Sequence, residues 1–173
     1  MTPNGDNIVS IFKRKIRRKA MIKPEDLKIG DLIKVSHDCI LPKGAICVVA
    51  GINPKKILED KKGTVCLSAT NDDYGGPWWT WCCNIEGIPV TPEILCNNDF
   101  KEEVEGKYFT RPIKARFGSS LARYLVVERK KYAWAIFIKY YNVTGYALLC
   151  HIKYVHELQF ALKIMKFSPE IKV

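Results

Sequence analysis

The stretch TPEILCNNDF, residues 91–100, decides how this chain is divided. Thr91 is a capping residue, its hydroxyl suited to accept from the first unpaired amides of a helix. Pro92 fits the first helical position, where an N–H would have no partner, and Glu93 meets the positive end of the helix dipole. Asn97 and Asn98 supply the stop. The reading is a short helix with strand-like sequence on either side, hence two β-rich units joined here.

Upstream, PEDLKIGDLIKVS leads into an alternation of Leu32 and Lys34 against Ile33 and Val35. AICVVAGI follows LPKG, TVCLSAT follows the turns NPKK and DKKG, and PWWTWCCNIEGIPV ends the run. Short strands with Gly and Pro punctuation predict a small SH3-like barrel over residues 24–90, with Gly30 and Gly44 turning the chain just ahead of strands. Downstream, GKYFTRPI, ARYLVVER, YAWAIFIKYY and YALLCHI predict an antiparallel meander. A helix over 154–166 closes it. The expected fold class is α+β, mainly β: a basic arm (1–23), an SH3-like barrel (24–90), then a linker helix with an antiparallel sheet and C-terminal helix (91–173).

That last helix carries YVHELQFAL, residues 154–162, most of a zinc-peptidase signature. Such a site needs His at i and i+4 on one helix face, with Glu at i+1 polarising the bound water. Here the i+4 residue is Phe160, which cannot ligate zinc, and neither His37 nor His151 has a spacing that supplies the ligand. The segment is a packing helix whose stripe is Val155, Leu158, Leu162 and Met165, flanked by Ala161.

IKYVHELQFAL, IEGIPVTPEILCNNDF and LPKGAICVVAGI together resemble a group of uncharacterised small proteins of phages, prophages and mobile elements of Bacteroidetes. In that group an SH3-like part ending in a PIPLTPEIL-type segment precedes a variable β-rich stretch and a VHELQ-type helix. The likeness covers most of residues 27–167 and implies a phage-type origin and a two-part layout. It brings no activity and no catalytic residues. The basic arm, PWWTWCC and FALKIMKF depart from the pattern.

The chain has 173 residues, 47% of them hydrophobic, enough to bury a real core. Its formal charge of +10 is unevenly spread: +6 over residues 1–23, −4 over 24–100 and +8 over 101–173. The two ends would attract an anionic partner and the middle would repel it. Seven cysteines without a C-x-x-C spacing fit neither a disulfide framework nor a zinc ribbon, and no signal-type or membrane-spanning stretch is present, so a cytoplasmic protein is expected; the resemblance implies that the cell is a bacterial host.

Three constellations remain. His37, Asp38 and Cys39 read as a polar turn with a buried thiol rather than a Cys–His nucleophile. In DDYGGPWWTWCC the indoles of Trp78, Trp79 and Trp81 either grip an extended peptide or form the seam between the units. From 107 to 141 basic residues alternate with aromatics: Lys107, Tyr108, Arg111, Lys114, Arg116, Arg123, Tyr124 and Lys139, Tyr140, Tyr141. That is the chemistry of sequence-tolerant single-strand binding, and equally that of a solvated strand face whose aromatics pack inward.

The expectation is a non-catalytic protein that associates with DNA or RNA at low specificity. Lys13, Arg14, Lys15, Arg17, Arg18 and Lys19 would neutralise phosphates, aided by Arg129, Lys130 and Lys131 at a hairpin tip. The alternative is a module that binds an acidic host or phage protein through Trp78, Trp79 and Trp81; a weaker one is a virion component touching packaged DNA. No enzyme activity, catalytic residue, cofactor, metal, small-molecule substrate or membrane is expected.

Overall fold

A computed structural model describes residues 22–37, 39–58, 61–70, 76–113, 123–140 and 144–173. Among the described residues, ten strands form two antiparallel sheets of five. The first contains β1 (Leu32–Val35), β2 (Ile46–Leu58), β3 (Lys61–Ala69), β4 (Trp78–Trp81) and β5 (Ile85–Gly87) in the order β4-β3-β2-β1-β5. A single 3-10 turn, Cys82–Asn84, separates β4 from β5. Five strands are thus present in this region, but NPKK, read as a turn, lies inside the 13-residue β2, where the register with β3 is irregular between Asn53 and Ile57. The expected closure is absent: among the described residues no ladder joins β4 to β5, and the sheet is open.

Helix α1 (Pro92–Asn97) follows, as its caps dictate. The Thr91 hydroxyl accepts from Ile94 N at 3.3 Å. Asn98 ends the helix and does more than stop it: its amide donates to Ile94 O and Lys172 O, and its oxygen accepts from Lys172 N, stitching the C-terminal tail to α1.

The second sheet is a meander in chain order, β6 (Lys101–Val104), β7 (Tyr108–Ile113), β8 (Arg123–Arg129), β9 (Trp134–Tyr140) and β10 (Tyr146–Ile152). Helix α2 (Val155–Ile164) closes it and buries Val155, Leu158, Ala161 and Leu162, the stripe read from the sequence apart from half-buried Met165.

The two units share a core. Leu32, with half-buried Ile46 and Val48, comes from the first sheet; Phe109, Leu125, Val127, Trp134 and Ile136 come from the second, and the α2 stripe completes it. A separate cluster fills the other side of the first sheet: Ile33, Val35, Leu41, Val49, Val65, Leu67 and Ile85. Strand alternation explains the division, since Leu32 and Ile33 are neighbours that point opposite ways.

Polar pairing locks the seam. Gln159, buried on α2, accepts from Leu32 N at 2.8 Å and donates to Gly30 O and Pro169 O. Val90 N donates to Lys153 O, Val155 N to Ile88 O, and the Trp134 indole N–H to Val90 O. Gly87 lies so close to Tyr154 that a Cβ there would sit 2.5 Å from the ring.

Candidate nucleic-acid interface

The outward face of the second sheet follows from its register. Phe109, Leu125, Val127 and Ile136 point into the shared core, so Tyr108, Tyr124, Val126, Phe137, Lys139, Tyr146 and Leu148 point away from it. Tyr146 is 55% exposed and Leu148 52%, while Val126 and Ala135 on the same phase are fully buried.

The sheet curls enough for Tyr108 on β7 to hydrogen-bond Tyr146 on β10. Burial, with this bond behind it, pushes the Tyr108 phenol up to about 12, so it stays protonated. Phe137 meets Tyr146 edge to face at 5.8 Å. Glu103, Tyr108, Thr110, Tyr124 and Lys139 line a shallow cavity of about 410 Å³ in the concavity. Lys139 Nζ stands 5.6 Å from the Tyr146 ring centroid. The two acids nearby are engaged: Glu103 pairs with Lys101 at 3.2 Å and accepts from Thr110, and Glu128 pairs with Lys130 at 2.6 Å.

Arg129, Lys130 and Lys131 sit at the β8–β9 turn, as expected, but Arg129 shares the phase of Val127 and reaches the Trp134 ring on the core side of the sheet, leaving Lys130 and Lys131 at the Tyr108 end of the open face; Arg129 N donates to Lys107 O. Each has an aromatic neighbour: Arg129 the Trp134 ring at 5.8 Å, Lys130 the Phe137 ring at 5.8 Å, and Lys131 the ring of the highly exposed Tyr132 at 4.9 Å. Not every basic residue of this region belongs to the face. Arg111 points inward, pairing with Asp99 at 3.1 Å between the rings of Phe100 and Phe167. Lys13, Arg14, Lys15, Arg17, Arg18, Lys19, Lys114, Arg116 and Tyr141 lie outside the described residues.

The Trp segment lies on β4, an edge strand of the first sheet: Trp78 packs on the cluster of that sheet, and Trp79 is 55% exposed, over Gly51 and Cys66. The shared core described above contains Trp134 and is clamped by Gln159, and Trp78 and Trp79 are not among its residues. The signal was ambiguous because a large aromatic serves a core and an edge equally well.

No catalytic constellation forms from the residues considered. The His37 ring bonds Ser36 at 2.8 Å and the Cys39 thiol donates to Leu41 O, so the pair is not joined. Burial pushes the Cys47 and Cys82 thiols up to about 11, against nucleophilic use. On α2, Glu157 accepts from Tyr154 N at 3.0 Å and serves as a helix cap, while Lys28 Nζ lies 3.0 Å over the exposed Phe160 ring. Cys82 and Cys83 fall in the 3-10 turn rather than alternating along a strand. No helix among the described residues is long and apolar enough to cross a membrane.

Phe137, Tyr146 and Leu148 were missed by the sequence reading. Plain alternation in YALLCHI would put Tyr146 and Leu148 on the face of buried Ile152; a bulge between Leu148 and Cys150 shifts the register and turns them to the other one. Compared with known proteins, the chain matches no family, no curated protein and no solved structure.

Proposed function

We propose that this is a non-catalytic, phage-type or mobile-element protein of the bacterial cytoplasm that associates with nucleic acid. The open face of the second sheet provides the stacking platform and the basic segments bind phosphate. The observation that carries this reading is the cluster of Tyr108, Tyr124, Phe137 and Tyr146 with Lys139 among them on one face of the sheet, bordered by Lys130 and Lys131 at the β8–β9 turn, with Arg129 beside them on the other phase. Base stacking on such rings is sequence-tolerant, and single strands present their bases for it where duplexes do not. Lys13, Arg14, Lys15, Arg17, Arg18 and Lys19 add phosphate neutralisation. An SH3-like kinship of the first sheet is part of the proposal, supported by the order β4-β3-β2-β1-β5 and by the 3-10 turn ahead of β5.

The test is anisotropy of labelled single- and double-stranded oligonucleotides over a salt series, with the intact chain, a chain starting at Pro24, and Tyr146→Ala. The intact chain binds single strands preferentially. The shortened chain loses the part of the salt slope that corresponds to about 4–6 neutralised phosphates, and Tyr146→Ala weakens binding by the ~1–3 kcal/mol of one stacked base. Equal binding by all three forms, or none by the intact chain near physiological salt, ends the proposal.

A second reading rests on Trp79. An exposed indole on the edge strand β4, with Ile40 exposed nearby, offers backbone pairing and an apolar anchor to an extended segment of an acidic host or phage protein. That contact survives moderate salt and fails on Trp79→Ala, the reverse of the pattern above.

A further inference from the structure

The cavity of about 410 Å³ on the open face has a mixed wall, and its size lies within the ~300–1,000 Å³ of small-ligand sites. Across the strand order it runs from the Glu103 carboxylate on β6, past Tyr108 and Thr110 on β7 and Tyr124 on β8, to the Lys139 ammonium on β9. Tyr124 and Lys139 are direct partners in the β8–β9 register. The Tyr108 hydroxyl is tied to Tyr146, so its ring is not free to turn away.

The observation that asks for an explanation is Glu103. A surface that takes phosphate has no use for a fixed carboxylate, and Glu128, also on this face, is neutralised by Lys130 at 2.6 Å. Glu103 is aimed instead. The β6–β7 register shifts between Glu102 and Val104, which leaves Glu103 as the extra residue of a bulge, a device that re-aims a side chain. The Thr110 hydroxyl then donates to its Oε1 at 3.0 Å. Its other partner, Lys101 at 3.2 Å, has a side chain 77% exposed and gives way to a ligand at little cost. Hydrogen bonds from Lys101 and Thr110 hold the carboxyl below its ordinary range, so it is ionised at pH 7.

A wall with one carboxylate, one ammonium and hydroxyls between them does not suit a phosphate. It suits a flat neutral group with donors on one edge and acceptors on the next. Among the bases, guanine has that pattern: its N1–H and N2–H₂ form a parallel donor pair like the fork of a guanidinium, which a carboxylate accepts with both oxygens, and its O6 and N7 accept from an ammonium. Thymine, adenine and cytosine set an acceptor beside each Watson–Crick donor, so a carboxylate gains one bond and meets a repelling oxygen or nitrogen.

We propose that this cavity is a guanine-selective subsite: one base of a single strand lies against Tyr108 and Tyr124, with its N1–H and N2–H₂ on Glu103 and its O6 on Lys139. The inference rests on the nucleic-acid reading above and adds a base preference to a platform that is otherwise sequence-tolerant. A strand-borne base gains more here than a free nucleotide, because Phe137 and Tyr146 offer stacking to its neighbours and Lys130 and Lys131 meet the flanking phosphates.

The experiment is anisotropy of labelled nonamers, dT throughout or with one central dG, dI, dA or dC, with the full chain and with Glu103→Gln at one salt concentration near physiological. The dG nonamer binds about ten-fold tighter than all-dT. The dI nonamer, whose base keeps N1–H and O6 but lacks the N2 amine, binds about five-fold more weakly than dG. Glu103→Gln brings dG and all-dT within about two-fold of each other; the dI comparison reads the same contact in the unaltered chain should the variant fold poorly. Equal binding of the dG and all-dT nonamers, tighter binding of dA or dC than of dG, or a preference that survives Glu103→Gln overturns this inference and leaves the nucleic-acid function standing. No binding of any nonamer ends that function and the inference with it. Displacement of the dG nonamer by micromolar GMP but not by AMP assigns the cavity to a free nucleotide and overturns the strand-borne reading.

Discussion

In the first sheet, Ile33 and Val35 enter one core while Leu32 enters the other, so both faces of β1 are spent on folding. In the second sheet, Leu125 and Val127 enter the shared core, but Tyr124 on the alternate phase, with Phe137 and Tyr146 beside it, faces outward. The second sheet thus carries aromatic side chains on a phase that does not enter the shared core. Exposed apolar residues of that kind are what an interaction surface is made of, and this difference is the ground for the interface proposed above.

The comparison breaks most visibly at the core the two sheets share. Phe109→Ala removes a fully buried ring from it and is expected to cost about 3–5 kcal/mol. Urea unfolding followed by fluorescence and by far-UV circular dichroism should still show one transition, because the sheets have no separate stabilities to reveal. Two transitions would mean that the first sheet stands on its own cluster.

Gln159→Leu comes next. It keeps the volume of α2 but leaves Leu32 N and Gly30 O without their partner, at a cost of about 1–3 kcal/mol. Hydrogen exchange should rise first at Leu32. Gly87→Ala forces the Tyr154 ring away from β5 and is expected to cost about 1–3 kcal/mol through overpacking at the same seam.

A smaller effect comes with pH. The folded His156 titrates below its ordinary 6.5 because burial disfavours the charged ring. The unfolded chain therefore takes up the proton first as pH falls below 6.5, so stability is full above that value and declines beneath it. Urea midpoints between pH 8 and pH 5 in the wild type and in His156→Gln check this, the variant lacking that share of the decline. Smallest of all is the effect of Tyr146→Ala or Leu148→Ser on stability, within ~0.5 kcal/mol, as suits side chains that fold nothing. A large loss would make the open face part of the core and dissolve the contrast between the sheets.

Much of this architecture was legible in the residues. Thr91 and Pro92 announced α1, the Leu32–Val35 alternation announced β1, and the α2 stripe announced its buried side. That the first sheet stays open was not legible, because pairing between distant strands, or its absence, leaves no local trace. Nor was the seam: Gln159 on a helix reads as a solvent residue until its three backbone partners are known. Of the interface, the basic tip was readable as a turn, whereas Tyr146 and Leu148 were hidden by the bulge that shifts their phase.

The bulge in β10 has a bearing on self-association. The two outermost strands of the second sheet expose unpaired edges, the usual templates for chain-to-chain addition. Strand β6 guards one edge with Lys101, Glu102 and Glu103, all exposed. Strand β10 exposes Tyr146, Leu148 and Leu149 and has no such guard, but the irregular register between Leu148 and Cys150 interrupts the regular spacing that a second strand would have to match. The protein thereby displays a sticky face without offering a straight ladder for polymer growth.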